Sequence, residues 1–398
     1  MLERLEALPP DPILDLSALF AQDSNPNKVN LGIGVYRGPS GITPIFESVK
    51  TAERQLIEEQ TTKAYVAQAG DPSFLDGMTK LVLGDDLYAS ERGRVATAMT
   101  PGGSGALRML ADMIKTARPD SAIWVPTPTW GNHVPLLSNS GLELKKYPYY
   151  SAETGVVNVD AMLAALRQVP KTDVVLLHGC CHNPSGADLS NEDWEQVIAL
   201  AKDVGFTVFI DIAYQGFASS LDDDAFGVRL ALTELDELLV AASCSKNFGV
   251  YRERAGMSLI AGPTAEVVQA ANSHILSIAR RTYSMSAYHG GGIVGRVLSD
   301  DALRSQWEDE LTAARNRVNA LRASLAKNLN EAQSVKDFGF IAQNKGMFSL
   351  LGLTPEQVQA LRSEFGIYVV NSSRINVAGV AEDKVDFIVD GIAKVLTE

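Results

Sequence analysis

From about residue 95 to residue 261 the chain alternates short apolar runs with stretches of helical periodicity, and no other feature limits its fold so tightly. The runs are Ala122–Val125, Val174–His178, Thr207–Asp211, Leu238–Ala242 and Met257–Ala261, each rich in Val, Ile, Leu or Ala. A strand that is apolar along its whole length, not only at alternate positions, is covered on both faces, as in parallel sheets. Helical stretches separate the runs. One is Asn191–Val204, with Ser190 placed to cap its first turn. This alternation predicts an α/β layer fold with a mostly parallel sheet.

The second half changes character. Leu303, Trp307, Leu311, Ala314, Val318, Leu321, Leu325 and Leu329 recur every three or four residues, which predicts one amphipathic helix over Ala302–Ala332. A helix of that length can bridge two domains. Beyond it, short strands (Phe348–Leu351, Ile367–Val370, Arg374–Val377) mix with helices (Pro355–Glu364, Val385–Leu396), the pattern of a smaller α+β lobe. Pro9, Pro10 and Pro12 predict an extended arm before a helix over Ile13–Gln22. The expected division is an arm at 1–14, a small domain at 15–44 and 313–398, and a large domain at 45–312.

Charge and cysteine usage narrow the function. The net charge of −13, with no Lys/Arg run to offset it, argues against nucleic-acid and anionic-membrane surfaces. The first residues carry acids and prolines where a signal peptide needs a basic start and an apolar run. No apolar stretch is long enough to cross a bilayer. Cys180, Cys181 and Cys244 make no disulfide framework, so a reducing, cytoplasmic setting is expected.

In α/β sheets, ligands sit in the loops that follow the strands' carboxyl ends. Those loops hold Asp211 and Tyr214, then His178 to Gly186 with Asn183, then Ser243, Ser245 and Lys246, with Arg254 close behind. Before a helix lies TPGGSGALR, with Gly103 and Ser104. Singly, each has an ordinary explanation. The glycine loop lacks the Gly-Lys-Ser/Thr of a P-loop and the spacing of a dinucleotide fingerprint. His178 and His182, with two cysteines between them, suggest a metal, yet they follow a strand and lack a second ligand pair, so no metal is assigned.

Together the residues suit pyridoxal 5′-phosphate, which needs a lysine anchor, an acid for the pyridine nitrogen, donors to the ring oxygen and a phosphate cradle. Lys246 would be the anchor, its pKa lowered by partial burial beside Arg254. Asp211 would hold the pyridinium proton, and Asn183 and Tyr214 would reach the ring oxygen. Gly103, Ser104, Ser243, Ser245 and Arg254 would hold the phosphate.

The stretches SCSKNFGVYRERAG, CCHNPSGADL, DIAYQGF, TPGGSGALR, PTWGNH, NLGIGVYRG and NSSRINVAG resemble the subgroup I aspartate and aromatic-amino-acid aminotransferases, collinearly from about residue 11 to the C-terminus. The resemblance implies a fold-type I homodimer with shared active sites. It also implies that Trp130 stacks on the cofactor ring and that Tyr65 reaches the neighbouring subunit's phosphate. Arg374 would grip the substrate α-carboxylate with Gly34 and Asn183 beside it, and Arg280 would be supplied across the dimer. Lys246 would be both anchor and proton shuttle, in a ping-pong exchange between amino acids and 2-oxo acids such as 2-oxoglutarate. The chain departs from the aspartate pattern at Met285-Ser286-Ala287, at Ala64 and at Ser104. Met285 and Ala64 shift the expectation toward phenylalanine and tyrosine, with aspartate and glutamate also accepted. An aspartate aminotransferase is the alternative, and a non-catalytic amino-acid or cofactor-binding module is a remoter one.

Overall fold

In the computed structural model, which describes residues 1–8 and 12–397, a seven-stranded sheet forms the centre of the larger lobe. Its strands are β1 (Val95–Pro101), β2 (Ala122–Thr127), β3 (Glu143–Pro148), β4 (Val174–His178), β5 (Thr207–Ile212), β6 (Leu238–Ser243) and β7 (Ala255–Ala261), in spatial order β1-β7-β6-β5-β4-β2-β3. All pairs are parallel except those of β7, which runs antiparallel to both β1 and β6. The apolar run Met257–Ala261 is therefore an antiparallel strand within a mostly parallel sheet. Burial on both faces makes such a strand read like its parallel neighbours, because direction leaves no mark on apolar content.

Side chains alternate between two cores. Val208, Ile210 and Ile212 enter the main apolar cluster on one face, and Phe209 enters a second cluster on the other. The edge strand β3 escapes the apolar pattern for a physical reason. β3 reads Glu-Leu-Lys-Lys-Tyr-Pro with only Tyr147 buried, and charged residues on an exposed edge discourage pairing with another chain.

Helix α1 (Gly102–Ala117) follows β1 directly, and α2 (Asn191–Val204) starts on a full capping box between Ser190 and Asp193. Helix α3 (Asp301–Ala332) joins two cores. Trp307, Leu311, Ala314 and Val318 pack into the main cluster, whereas Leu321, Leu325 and Leu329 pack into a separate one. That separate core also takes Val29 and Leu31 from near the start of the chain and Ile388, Ile392 and Val395 from near its end. Two short sheets serve it: Val29–Asn30 pairs with Ile367–Tyr368, and Phe348–Leu350 with Arg374–Asn376. The expected arm lies partly outside the described residues, at 9–11, and residues 2–4 form an exposed turn. No described helix is long and apolar enough to cross a membrane.

Candidate active site

The strand ends bring the expected residues together. Asp211 ends its apolar run inside β5, paired in register with His178 of β4 and Ala241 of β6. Lys246 lies three residues beyond β6, its Nζ 4.8 Å from the centre of the Tyr214 ring. One cavity of about 220 Å³ is lined by Gly34, Gly103, Ser104, Trp130, Asn183 and Asp211. Tyr214, Ser243, Ser245, Lys246 and Arg254 complete the set of expected residues on its wall.

The electrostatics follow from burial. Burial pushes the Lys246 amine down to about 8, against the opposing pull of Asp211 and with help from the Arg254 charge. Burial alone would raise the Asp211 carboxyl. The hydrogen bond from His133 and the electrostatic influence of its other neighbours, Lys246 among them, outweigh it and hold the carboxyl below its usual range. His133 Nε2 lies 3.0 Å from Asp211 Oδ2, and facing an ionised carboxylate that nitrogen carries the proton. Thr129 Oγ1 bridges His133 Nδ1 at 2.8 Å and His178 Nε2 at 3.1 Å.

The cavity also gathers groups that suit an anion. Helix α1 begins at Gly102 with Pro101 at its N-cap position, so no side chain caps its free N–H groups. Gly102 has φ +69°, its N–H donates to the Arg254 carbonyl at 2.9 Å, and a Cβ there would lie 2.6 Å from Arg254 Nη2. Only glycine lets the guanidinium come this close to the helix start. Arg254 Nη1 also reaches Ser245 Oγ at 3.4 Å, and Ser243 Oγ donates to Ser245 Oγ at 3.2 Å.

Arg374 is buried beside the cavity. It donates to Asn183 Oδ1 at 3.3 Å and to the Gly32 carbonyl at 2.7 Å, while its Nε has no partner among the described residues. Its guanidinium lies 4.4 Å from the centre of the Phe348 ring. Burial holds its pKa below the ordinary arginine value, opposed by Tyr214.

Tyr65 and Arg280 are elsewhere. Tyr65 is 91% exposed, and Arg280 is exposed and bonded to Ser284. Neither lines the cavity of this chain, and neither do Ala64 and Met285. His133, Tyr251 and Phe348 are further residues in or beside the site that the motifs do not single out. The signal for His133 was present: it stands three residues after Trp130 at the start of a helix, in the same PTWGNH stretch. His178 and His182 lie 4.3 Å apart at a tilt of 47°, within a line of rings that runs from Trp130 through His133 to Tyr149, which stacks on His182.

A two-lobed α/β fold with a buried lysine, a buried acid and an anion cradle at the strand ends defines a pyridoxal-phosphate transferase of fold type I. The sequence matches the aminotransferase class I and II family over residues 26–392, and the chain belongs to that family of pyridoxal-phosphate-dependent enzymes. It is similar to an aspartate aminotransferase of Salmonella typhi, at 44% identity over 100% of both chains. It is also similar to an aromatic-amino-acid aminotransferase of Paracoccus denitrificans, at 42% identity over 99% of this chain and 100% of the relative. A crystal structure of the aromatic-amino-acid aminotransferase from Burkholderia pseudomallei, covalently bound to pyridoxal phosphate, superposes with a TM-score of 0.97. That pair is 40% identical, over 100% of this chain and 99% of that one.

Proposed function

We propose that this enzyme transfers amino groups from phenylalanine and tyrosine, and also from aspartate and glutamate, to 2-oxoglutarate at the cavity around Lys246. The observation that carries the reading is the lowered Lys246 amine in one cavity with Asp211, Arg254 and the uncapped helix start at Gly103. The residues fit pyridoxal phosphate. Arg254, Ser243, Ser245 and the N–H groups of Gly103 and Ser104 would hold its phosphate. Asp211, steadied by His133, would keep its ring nitrogen protonated, and Asn183 and Tyr214 would donate to its ring oxygen. Trp130 would cover a ring face. The chemistry this cofactor supplies when bound is an electron sink for the substrate Cα and a carrier for the amino group.

Lys246 has two tasks in this reading. Its neutral amine would hold the cofactor, and the same Nζ would take the substrate's Cα proton. Arg374 and Asn183 orient the substrate carboxylate, with the bare backbone of Gly34 leaving room beside them. We further propose a cytoplasmic homodimer in which Tyr65 and Arg280 act on the partner's site. Their exposure outside their own cavity supports the shared site, and three unpaired cysteines suit a reducing compartment.

An aspartate-preferring enzyme is the second reading, favoured by relatives of that name at similar identity. The test is kcat/KM for phenylalanine against aspartate with 2-oxoglutarate fixed. Comparable values support the broad reading. A preference for aspartate above about a thousandfold, or roughly 4 kcal/mol of transition-state discrimination, leaves only the aspartate one.

A further inference from the structure

Arg322 is a buried arginine far from water and outside the cavity. It sits on α3 where that helix crosses into the small core, and only 1% of its surface is exposed. Its guanidinium bonds are all to uncharged acceptors. Nε donates to the Gly346 carbonyl at 2.9 Å, and Nη1 donates to the Ile341 carbonyl at 3.0 Å and to Ser349 Oγ at 2.9 Å. Nη2 donates to the Lys345 carbonyl at 2.9 Å and to the Phe348 carbonyl. These five bonds match the five N–H donors of a guanidinium, and all five acceptors lie between residues 341 and 349. Burying a cation is costly, and burial lowers this one to about 10, opposed by nearby Cys181 and Asp188. An apolar side chain in its place would leave those five acceptors without a donor, so the arginine holds a particular conformation of that segment.

The segment touches both parts of the carboxylate clamp. Phe348 lays its ring 4.4 Å from the Arg374 guanidinium and stands edge-on to Tyr214 at 6.3 Å. On the other side, Lys345 N–H donates to the Gly186 carbonyl at 2.7 Å, and Asn344 Nδ2 donates to the Ser185 carbonyl at 3.3 Å. Gly186 belongs to the turn that presents Asn183. A Cβ added to Gly186 would lie 2.4 Å from the Phe348 carbonyl and 2.9 Å from Arg322 Nη2. From within the turn, Asp188 accepts from the Cys181 and His182 N–H groups at 2.7 Å each.

We propose that Arg322 is a positioning residue for substrate binding: by tying residues 341–349 together it sets Phe348 against Arg374 and the Gly186 turn against Asn183, so that the two carboxylate ligands meet. The inference rests on the proposed role of Arg374. Lysine at 322 keeps the charge but offers three donors on one atom, so it cannot hold five acceptors around a plane.

The test uses the Arg322→Lys holoenzyme, with an Arg374→Lys control, and reads the dissociation constant of 3-phenylpropionate, a carboxylate that cannot react. In a variant that retains its cofactor absorbance, that constant and KM for phenylalanine are expected to rise together by about tenfold, with kcat within about threefold. A merely structural role predicts a lower Tm with the carboxylate still bound as tightly as by the unaltered enzyme, and that result overturns the proposal. If Arg322→Lys does not fold, Ser349→Ala removes one of the five acceptors. About a threefold weakening is then expected, and unchanged binding overturns the proposal. Unchanged binding in Arg374→Lys would overturn the clamp itself. Weakened binding there with none in Arg322→Lys overturns this inference alone.

Discussion

At the scale of single residues, the site depends on which charges burial allows. A lysine at the mouth of a buried strand is costly unless it loses its proton or finds a partner, and Lys246 is held at about 8 chiefly by burial. The sign gives a prediction. Below its folded pKa the amine is protonated and cannot attack a carbonyl; above it the amine is neutral. The rate at which cofactor-free enzyme re-anchors added pyridoxal phosphate should therefore rise with pH through about 8 and level off above it. Stopped-flow absorbance measures this, and a flat profile from pH 6.5 to 9.5 (about one and a half units either side) would contradict the assignment. The motifs do not single out the acid's partner. Asp211 needs a partner, and the cofactor's ring nitrogen would be one. His133 is a second partner, from a helix 78 positions away in the chain.

At the scale of elements, the decisive junction is the one between β1 and α1. Without a capping side chain, the helix start keeps its N–H groups for a ligand, and Gly102 lets Arg254 join them. Gly102→Ala would place a methyl 2.6 Å from the guanidinium at a backbone φ of +69°. We expect it to weaken pyridoxal-phosphate affinity at least about tenfold and to cost ~1 kcal/mol of stability from the positive φ. Fluorescence titration of the cofactor-free variant, with urea unfolding alongside, checks both. An unchanged affinity would mean that the phosphate is held elsewhere. The capping box of α2, by contrast, serves only the helix: both of its reciprocal bonds are made within its own first turn.

At the scale of the whole molecule, the question is whether one chain has a complete site. Eleven expected residues line a single cavity, while Tyr65 and Arg280 face solvent on the same chain. If these two serve a partner, inactive Lys246→Ala and Arg280→Ala proteins should regain activity when mixed into hybrid dimers. One of the two sites in each hybrid then receives both residues. Activity of up to about a quarter of the unaltered enzyme is expected from random pairing, since half of the dimers are hybrids and each has one intact site. Confirmed hybrids that stay inactive would count against the shared site.

The chain's local chemistry determined the layer class, the long α3 and the identity of most cavity residues. Apolar runs, helical periodicity and capping residues act within a few positions, so they are legible in one dimension. Val174–His178 and Asn191–Val204 match their observed bounds for that reason. The edge strands β1 and β3 and the antiparallel sense of β7 were not legible, because neighbours distant in the chain decide them. The same holds for the site. Motifs named Lys246, Asp211 and Arg254, but only packing decided that His133 meets Asp211, that Phe348 lies over Arg374, and that Arg322 collects five acceptors. Hydrogen bonds and burial are set by what folding brings within about 3–4 Å, and such contacts leave no regular spacing in the sequence.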